Sequence, residues 1–306
     1  MTFWESAFLW RDAVLATTVL AMTLSVTGIF VILRRVVFLP AALSQVSGVG
    51  VVLSFWLALH LPGFSNIPLA TPFSFALITT LVAALLLGSL REPRRLTRES
   101  ITGMAYIAAS ALIISIGAAI PQESHAVSDV LFGNAVMVEF PQMIQAIVVS
   151  GAVLGLHLLF FHPFLLVSLN AQTAKAHGVP VRLVDSILFL SMGLIISVAT
   201  KTIGAMPVFA FSVLPPAAAL KFFGRTKWAF WAAPCMGAAS AFIGYFISFE
   251  HDMPTGACTV LTAGALFVIT LFPNRLFTWF RKNRASECGS STSKPKGESL
   301  RDNNAR

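Results

Sequence analysis

The chain has 306 residues, 56% of them hydrophobic and only 11% charged, with a mean hydropathy of +0.80. Soluble domains carry roughly 25% charged residues, so this composition excludes a water-soluble enzyme or binding module and points to a polytopic, all-α membrane protein. The net charge of +8 has to be read from where the cations sit, because a basic total alone fits nucleic acid and anionic lipid equally well.

Taking about 20 apolar residues per crossing, residues 1–12 are expected to form an extracytoplasmic N-terminus and the transmembrane domain to run over 13–273. The predicted spans fall at 13–33, 38–61, 73–90, 101–120 and 143–167, then at 184–200, 203–220, 228–248 and 257–272, the shorter sixth, seventh and ninth making the total eight to nine. The first run lacks a basic leader and a small-residue cleavage site, so it is expected to stay as a span. From about Ser286 the chain turns to Ser, Lys, Asn, Gly and Arg, and the tail over 274–306 is expected to be cytoplasmic and largely disordered.

If the Arg34, Arg35 turn is cytoplasmic, alternation also places inside the loops over 91–98, 175–182 and 221–227 and the tail. All of the 21 Lys and Arg except Arg11 and Lys201 then lie inside, while Glu123, Asp129, Glu139, Glu250 and Asp252 lie outside. The positive-inside rule therefore predicts the N-terminus out and the C-terminus in. The cations rim the inner leaflet, where membrane lipid is their expected partner, and no basic and aromatic motif argues for nucleic acid. Cys235, Cys258 and Cys288 share no spacing that suits a disulfide framework or a CxxC metal site.

The second span opens with Pro40, Ala41, Ala42, Leu43, Ser44, Gln45, Val46, Ser47 and Gly48. Small residues let helices approach closely; an amide such as Gln45 at membrane depth also reads as a pathway residue. Between the fifth and sixth spans, residues 169–182 read as a short amphipathic helix capped by Asn170 and stopped by Gly178 and Pro180. It is either a docking knob for a soluble partner or a helix resting on lipid headgroups. The seventh span carries Pro207, Pro215 and Pro216, which should kink or break it and free carbonyls that then line a cavity or find neighbours.

Taken in order, Ala42-Leu43-Ser44, Glu99 with Gly103, Leu131-Phe132-Gly133-Asn134, the connector from Ala174 to Gly178, Pro216-Ala217-Ala218 and Asp252-Met253-Pro254-Thr255-Gly256 resemble the zinc- and manganese-type ABC transporter permeases. The resemblance covers about residues 13–272. It implies a homodimeric membrane subunit in a bacterial inner membrane, a cytoplasmic ATPase docking on Asn170, Ala174 and Gly178, and an extracytoplasmic metal-binding protein that delivers zinc, manganese or iron. It also implies a pathway helix at Ala41, Ser44 and Gln45, with Pro207, Pro215 and Pro216 on the broken span. The chain contains no Gly-x4-Gly-Lys-Ser/Thr phosphate loop, so ATP is expected to be used by a separate subunit, with no cofactor bound here.

One departure stands out. Family members read Gly-Asp-Ala-Leu-Ser-His at the start of the second span, where Asp and His, four residues apart, share a helix face as metal ligands. Here those positions are Ala41 and Gln45, which leave one amide oxygen where a carboxylate and an imidazole suit Zn and Mn. Cation ligands are then expected from Gln45 and from the outer triplet Glu250, His251 and Asp252, with His60 and His125 also near the outer face. Alternatives are a degenerate relative moving another small cargo, a scaffold without transport, and a secondary transporter, which would need carboxylates or His inside its spans. An intramembrane enzyme would need HExxH or GxSxG, neither of which occurs, and His157 and His162 have no carboxylate partner in sequence.

Overall fold

The computed structural model describes residues 7–61, 71–89, 96–120, 138–224 and 226–271. His125, the 131–134 motif and the 274–306 tail lie outside them. The described elements are helices: α1 (Ala7–Leu33), α2 (Leu39–His60), α3 (Pro72–Ser89), α4 (Arg98–Ala118), α5 (Phe140–Leu159), α6 (Phe161–Leu169), α7 (Ala171–Ala176), α8 (Val181–Ile203), α9 (Ala205–Phe223), α10 (Thr226–Glu250) and α11 (Thr255–Leu271). Eight of them, α1 to α5 and α8 to α10, are long and apolar enough to cross a bilayer, and α11 is a shorter apolar helix. The chain is an integral membrane protein.

Helix starts follow local chemistry. Pro40 and Pro141 sit in the first turns of α2 and α5, where a missing N–H costs nothing. Thr97 accepts the Ser100 N–H at 3.1 Å and caps α4. Gly204, at φ +89°, turns α8 straight into α9 in a conformation that a Cβ would strain.

Two spans differ from the sequence expectation. The run over 143–167 is not one span: it breaks at Phe160, and α6 begins at Phe161. Pro163 explains the break, since it has no N–H for the Leu159 carbonyl and its ring collides with that carbonyl. The three prolines, conversely, do not break α9, which runs unbroken from Ala205 to Phe223. Pro207 occupies the first turn, where its N–H would be orphaned anyway. Pro215 and Pro216 free the carbonyls of Phe211 and Ser212, and both meet α1. Ser25 Oγ lies 3.3 Å from the Phe211 oxygen and 2.6 Å from the Ala21 oxygen, so one hydroxyl proton is shared between them.

The Ser212 carbonyl rests on Gly28, where an added Cβ would fall 2.0 Å away. Gly237 of α10 leaves equally little room against α1, a Cβ there falling 2.2 Å from the same Ser25 Oγ. Lipid tails are as apolar as Leu, so helix association in the bilayer rests on such close approach rather than on hydrophobic burial. α1, packed against α5, α9 and α10, and α8, packed against α3, form the centre and are mostly buried, whereas α4 is mostly exposed. α2 lies between α3 and α4. The end of α1, the starts of α4 and α8 and the end of α6 meet at one end of the bundle through Arg34, Arg98, Asp185 and Ser168.

Candidate functional site

α2, α4 and α9 line a half-open cavity of about 370 Å³. Ala41, Ser44 and Gln45 line it from α2, Tyr106 and Ser110 from α4, and Met206 and Phe209 from α9. Positions 41 and 45 are one turn apart, as i, i+4 spacing dictates, so the two face the cavity together. Gln45 is only 8% exposed, and its Oε1 is buried without a hydrogen-bond partner. A buried amide oxygen with no protein partner is available to accept a hydrogen bond from whatever enters the cavity. Ser44 Oγ donates to the Ala41 carbonyl at 2.9 Å and Ser110 Oγ to Tyr106 O at 2.9 Å, so both hydroxyls spend their protons on their own helices and offer lone pairs only.

Every side chain on this cavity is neutral. It can receive a polar or partly hydrated group through oxygen lone pairs, a phenol and a thioether; it cannot neutralise a charge. Pro207, Pro215 and Pro216 are buried but do not line it; the residues of α9 that do are Ala205, Met206 and Phe209. Tyr106 and Ser110 escaped the sequence reading, although two polar residues four apart in an apolar span are a legible signal.

At the opposite end of the bundle from Arg34, Glu250 and Asp252 border a second cavity of about 590 Å³ with Tyr245, Ser248, Met253 and Thr255. His251 does not line it. Asp252, at φ +50°, shapes the turn into α11, and Ser248 Oγ closes it by donating to the Met253 carbonyl at 2.6 Å. Among the described residues no group of three or more His, Cys, Asp and Glu comes together as a metal cluster. His60 is stacked on Trp56 and donates from Nδ1 to the Trp56 carbonyl at 2.9 Å, so its ring is engaged within its own helix. His157 is 2% exposed, packed between Phe30 and Phe164, with Nδ1 donating to the Val153 carbonyl at 2.8 Å. His162 is exposed.

The connector between α6 and α8 forms as its residues dictate. Asn170 Oδ1 accepts the N–H groups of Gln172 and Thr173 at 3.0 and 3.1 Å, capping α7, and Gly178 at φ +76° ends it. Gln172, Thr173, Lys175 and Ala176 are exposed, whereas Ala174 is fully buried against the bundle. Ala174 thus anchors the connector to the bundle, while its exposed neighbours form the outward face. At the foot of the connector, burial lowers the Arg34 pKa from its ordinary value while Asp185 opposes that shift.

Known proteins are similar to this chain in sequence and fold. The chain is 28% identical over 286 residues to the manganese transport system membrane protein MntC of Halalkalibacterium halodurans, covering 92% of this chain and 94% of that protein. It is 26% identical to the manganese import system permease protein ScaB of Streptococcus parasanguinis, over 86% of this chain and 89% of that one. A chain of PsaBC from Streptococcus pneumoniae, solved in complex with Fab, superposes with a TM-score of 0.72 at 26% identity, over 86% of this chain and 90% of the other. Residues 6–274 match the model of the ABC 3 transport family, and the chain belongs to that family.

Proposed function

We propose that this chain is the membrane-spanning permease of an ABC importer for a divalent transition-metal ion, manganese or iron first and zinc next. The observation that carries the reading is that the family match over residues 6–274 takes in the whole described bundle, with manganese permeases aligned nearly end to end. Two copies form the translocation unit. A separate ATPase docks on the exposed face of α7, with Asn170 and Gly178 shaping that helix, and hydrolyses the ATP. An extracytoplasmic binding protein delivers the ion. Orientation follows the cations: the Arg34 end is cytoplasmic, in a bacterial inner membrane, and the C-terminus is inside.

The cargo passes the cavity at Ala41, Ser44 and Gln45. Glu250, Asp252 and the neighbouring His251 offer a receiving point at the outer face, where carboxylates attract a cation before it sheds its water. The neutral lining of the cavity supports a second reading, a relative that moves a different small cargo by the same cycle. The test is uptake of radiolabelled Mn2+, Fe2+ and Zn2+ into proteoliposomes holding the permease with its ATPase and binding protein. ATP-dependent uptake of at least one ion is expected; none of the three entering while another cargo does would select the second reading, and no ATP-dependent uptake at all would end both.

A further inference from the structure

Asp185 lies in the second turn of α8, and its carboxylate is reached from two other elements. Arg34, from the α1–α2 turn, pairs with Oδ1 through Nη1; Arg98, at the start of α4, reaches Oδ2 at 3.5 Å. The Arg34 and Asp185 side chains are 8% and 9% exposed. The same guanidinium donates from Nε to Ser168 Oγ at 3.0 Å, and Ser168 sits in the last turn of α6, two residues before the Asn170 cap of α7. One arginine therefore holds the connector at both of its roots, Ser168 before α7 and Asp185 after it.

The other side of this cluster leads to the cavity. Arg34 is on the turn that starts α2, where Val36 N–H donates to Val31 O at 3.1 Å and Leu39 N–H to Val36 O at 3.0 Å. The Phe38 N–H donates to Glu99 Oε1 at 3.1 Å, which ties the start of α2 to α4 beside Arg98. α2 and α4 are two of the three cavity walls and carry Gln45 and Tyr106. A buried ion pair is poor value for stability, since desolvating both charges offsets most of their attraction and apolar residues of similar volume do as well. What it does supply is orientation, and a link that can be remade. Asp185 binds Arg34 through Oδ1 and Arg98 through Oδ2, so its one carboxylate joins α4 to the group formed by α1, α6 and α8.

We propose that Asp185, through Arg34 and Arg98, is the positioning residue that transmits displacement of the connector helix to the α2 and α4 walls of the cavity. This rests on the importer reading, and the experiment separates the two. Proteoliposomes holding the permease with its ATPase and binding protein are assayed for Mn2+ uptake and ATP hydrolysis together, in wild type, Asp185→Asn, Asp185→Glu, Arg98→Gln, Ser168→Ala and the exposed control Arg35→Gln. Asp185→Asn is expected to keep ATP hydrolysis within about twofold while Mn2+ moved per ATP falls on the order of tenfold. Asp185→Glu should recover part of that ratio, and Arg35→Gln should leave it unchanged.

A residue that only stabilises the fold would lower yield, hydrolysis and uptake in proportion, with the ratio constant, and that result overturns the proposal. Should Asp185→Asn not assemble, Arg98→Gln and Ser168→Ala decide it: an unchanged ratio in both refutes the link, and a lowered ratio in either supports it. Wild type that hydrolyses ATP without moving Mn2+, Fe2+ or Zn2+ would instead remove the importer reading.

Discussion

Substituting Gly28 by Ala tests whether the α1–α9 contact holds the bundle together. A Cβ at position 28 would stand 2.0 Å from the Ser212 carbonyl oxygen and 2.7 Å from Pro216 Cγ, against 3.4 Å or more for ordinary contact. Neither neighbour can swing aside, one being backbone and the other a ring fused to it. The helices must separate locally by about 1.4 Å, the difference between those distances. That movement also draws Ser25 Oγ, now at 3.3 Å, away from the carbonyl that Pro215 leaves without an N–H partner. Overpacking a tight interface costs about 1–3 kcal/mol, and a lost interhelical hydrogen bond in a membrane adds about 0.6, so the expected loss is roughly 2–4 kcal/mol, measured by SDS-induced unfolding in mixed micelles. Gly103→Ala is the matched control, since nothing lies within 4 Å of a Cβ there, and it should be neutral or slightly stabilising. A Gly28→Ala variant within about 0.5 kcal/mol of wild type, the spread of ordinary surface changes, would refute the reasoning.

Three further outcomes are expected. Ala41→Asp combined with Gln45→His places a carboxylate and an imidazole about 6 Å apart along the helix axis on one cavity, and should tighten Mn2+ or Zn2+ binding to the purified protein by at least about tenfold; calorimetry showing no change would count against the cavity as the ion's route. Ala174→Asp buries an unpaired carboxylate beneath α7 and should cost more than about 2 kcal/mol in thermal unfolding, whereas Lys175→Glu on the exposed face should leave stability within about 0.5 kcal/mol yet weaken ATPase binding in pull-down. In a cysteine-free background, His60→Cys should react with an impermeant maleimide in intact cells and Lys175→Cys only after permeabilisation; the reverse pattern would invert the topology.

The features that were legible in sequence are those written into a few adjacent residues. Asn170 followed by a small-residue turn and Gly178 announces a capped, terminated helix, and α7 forms there. Span count and bundle class follow from apolar run length, which lipid makes nearly obligatory. The break at Phe160 was hidden because the apolar run continues across Pro163, and run length cannot see a missing N–H. The prolines of α9 misled for the complementary reason: their freed carbonyls are accommodated by Ser25 and Gly28, about 190 residues away in sequence, and no local pattern announces that. Of the cavity, α2 was visible through Gln45 and α4 carried a signal in Tyr106 and Ser110, but that these meet α9 around one space is a matter of packing. The link between Arg34 and Asp185 spans 151 positions, beyond any local reading.

The placement of charge within the bundle bears on how an ion would be released as well as bound. A cavity with a carboxylate and an imidazole would hold Mn2+ in a deep well, and each cycle would have to spend coupling free energy, typically about 1–3 kcal/mol, on prising it loose. With Gln45 Oε1, serine lone pairs and a phenol, the well at this point is shallow, and an ion keeping part of its hydration shell can use the room that about 370 Å³ provides. Oxygen donors of neutral groups rank the divalent ions weakly, so a lining of this kind would contribute little to discrimination among metals. The described charges that remain in the bundle interior, Arg34 and Asp185, do not line the cavity and are instead paired with each other, where they bind helices to one another.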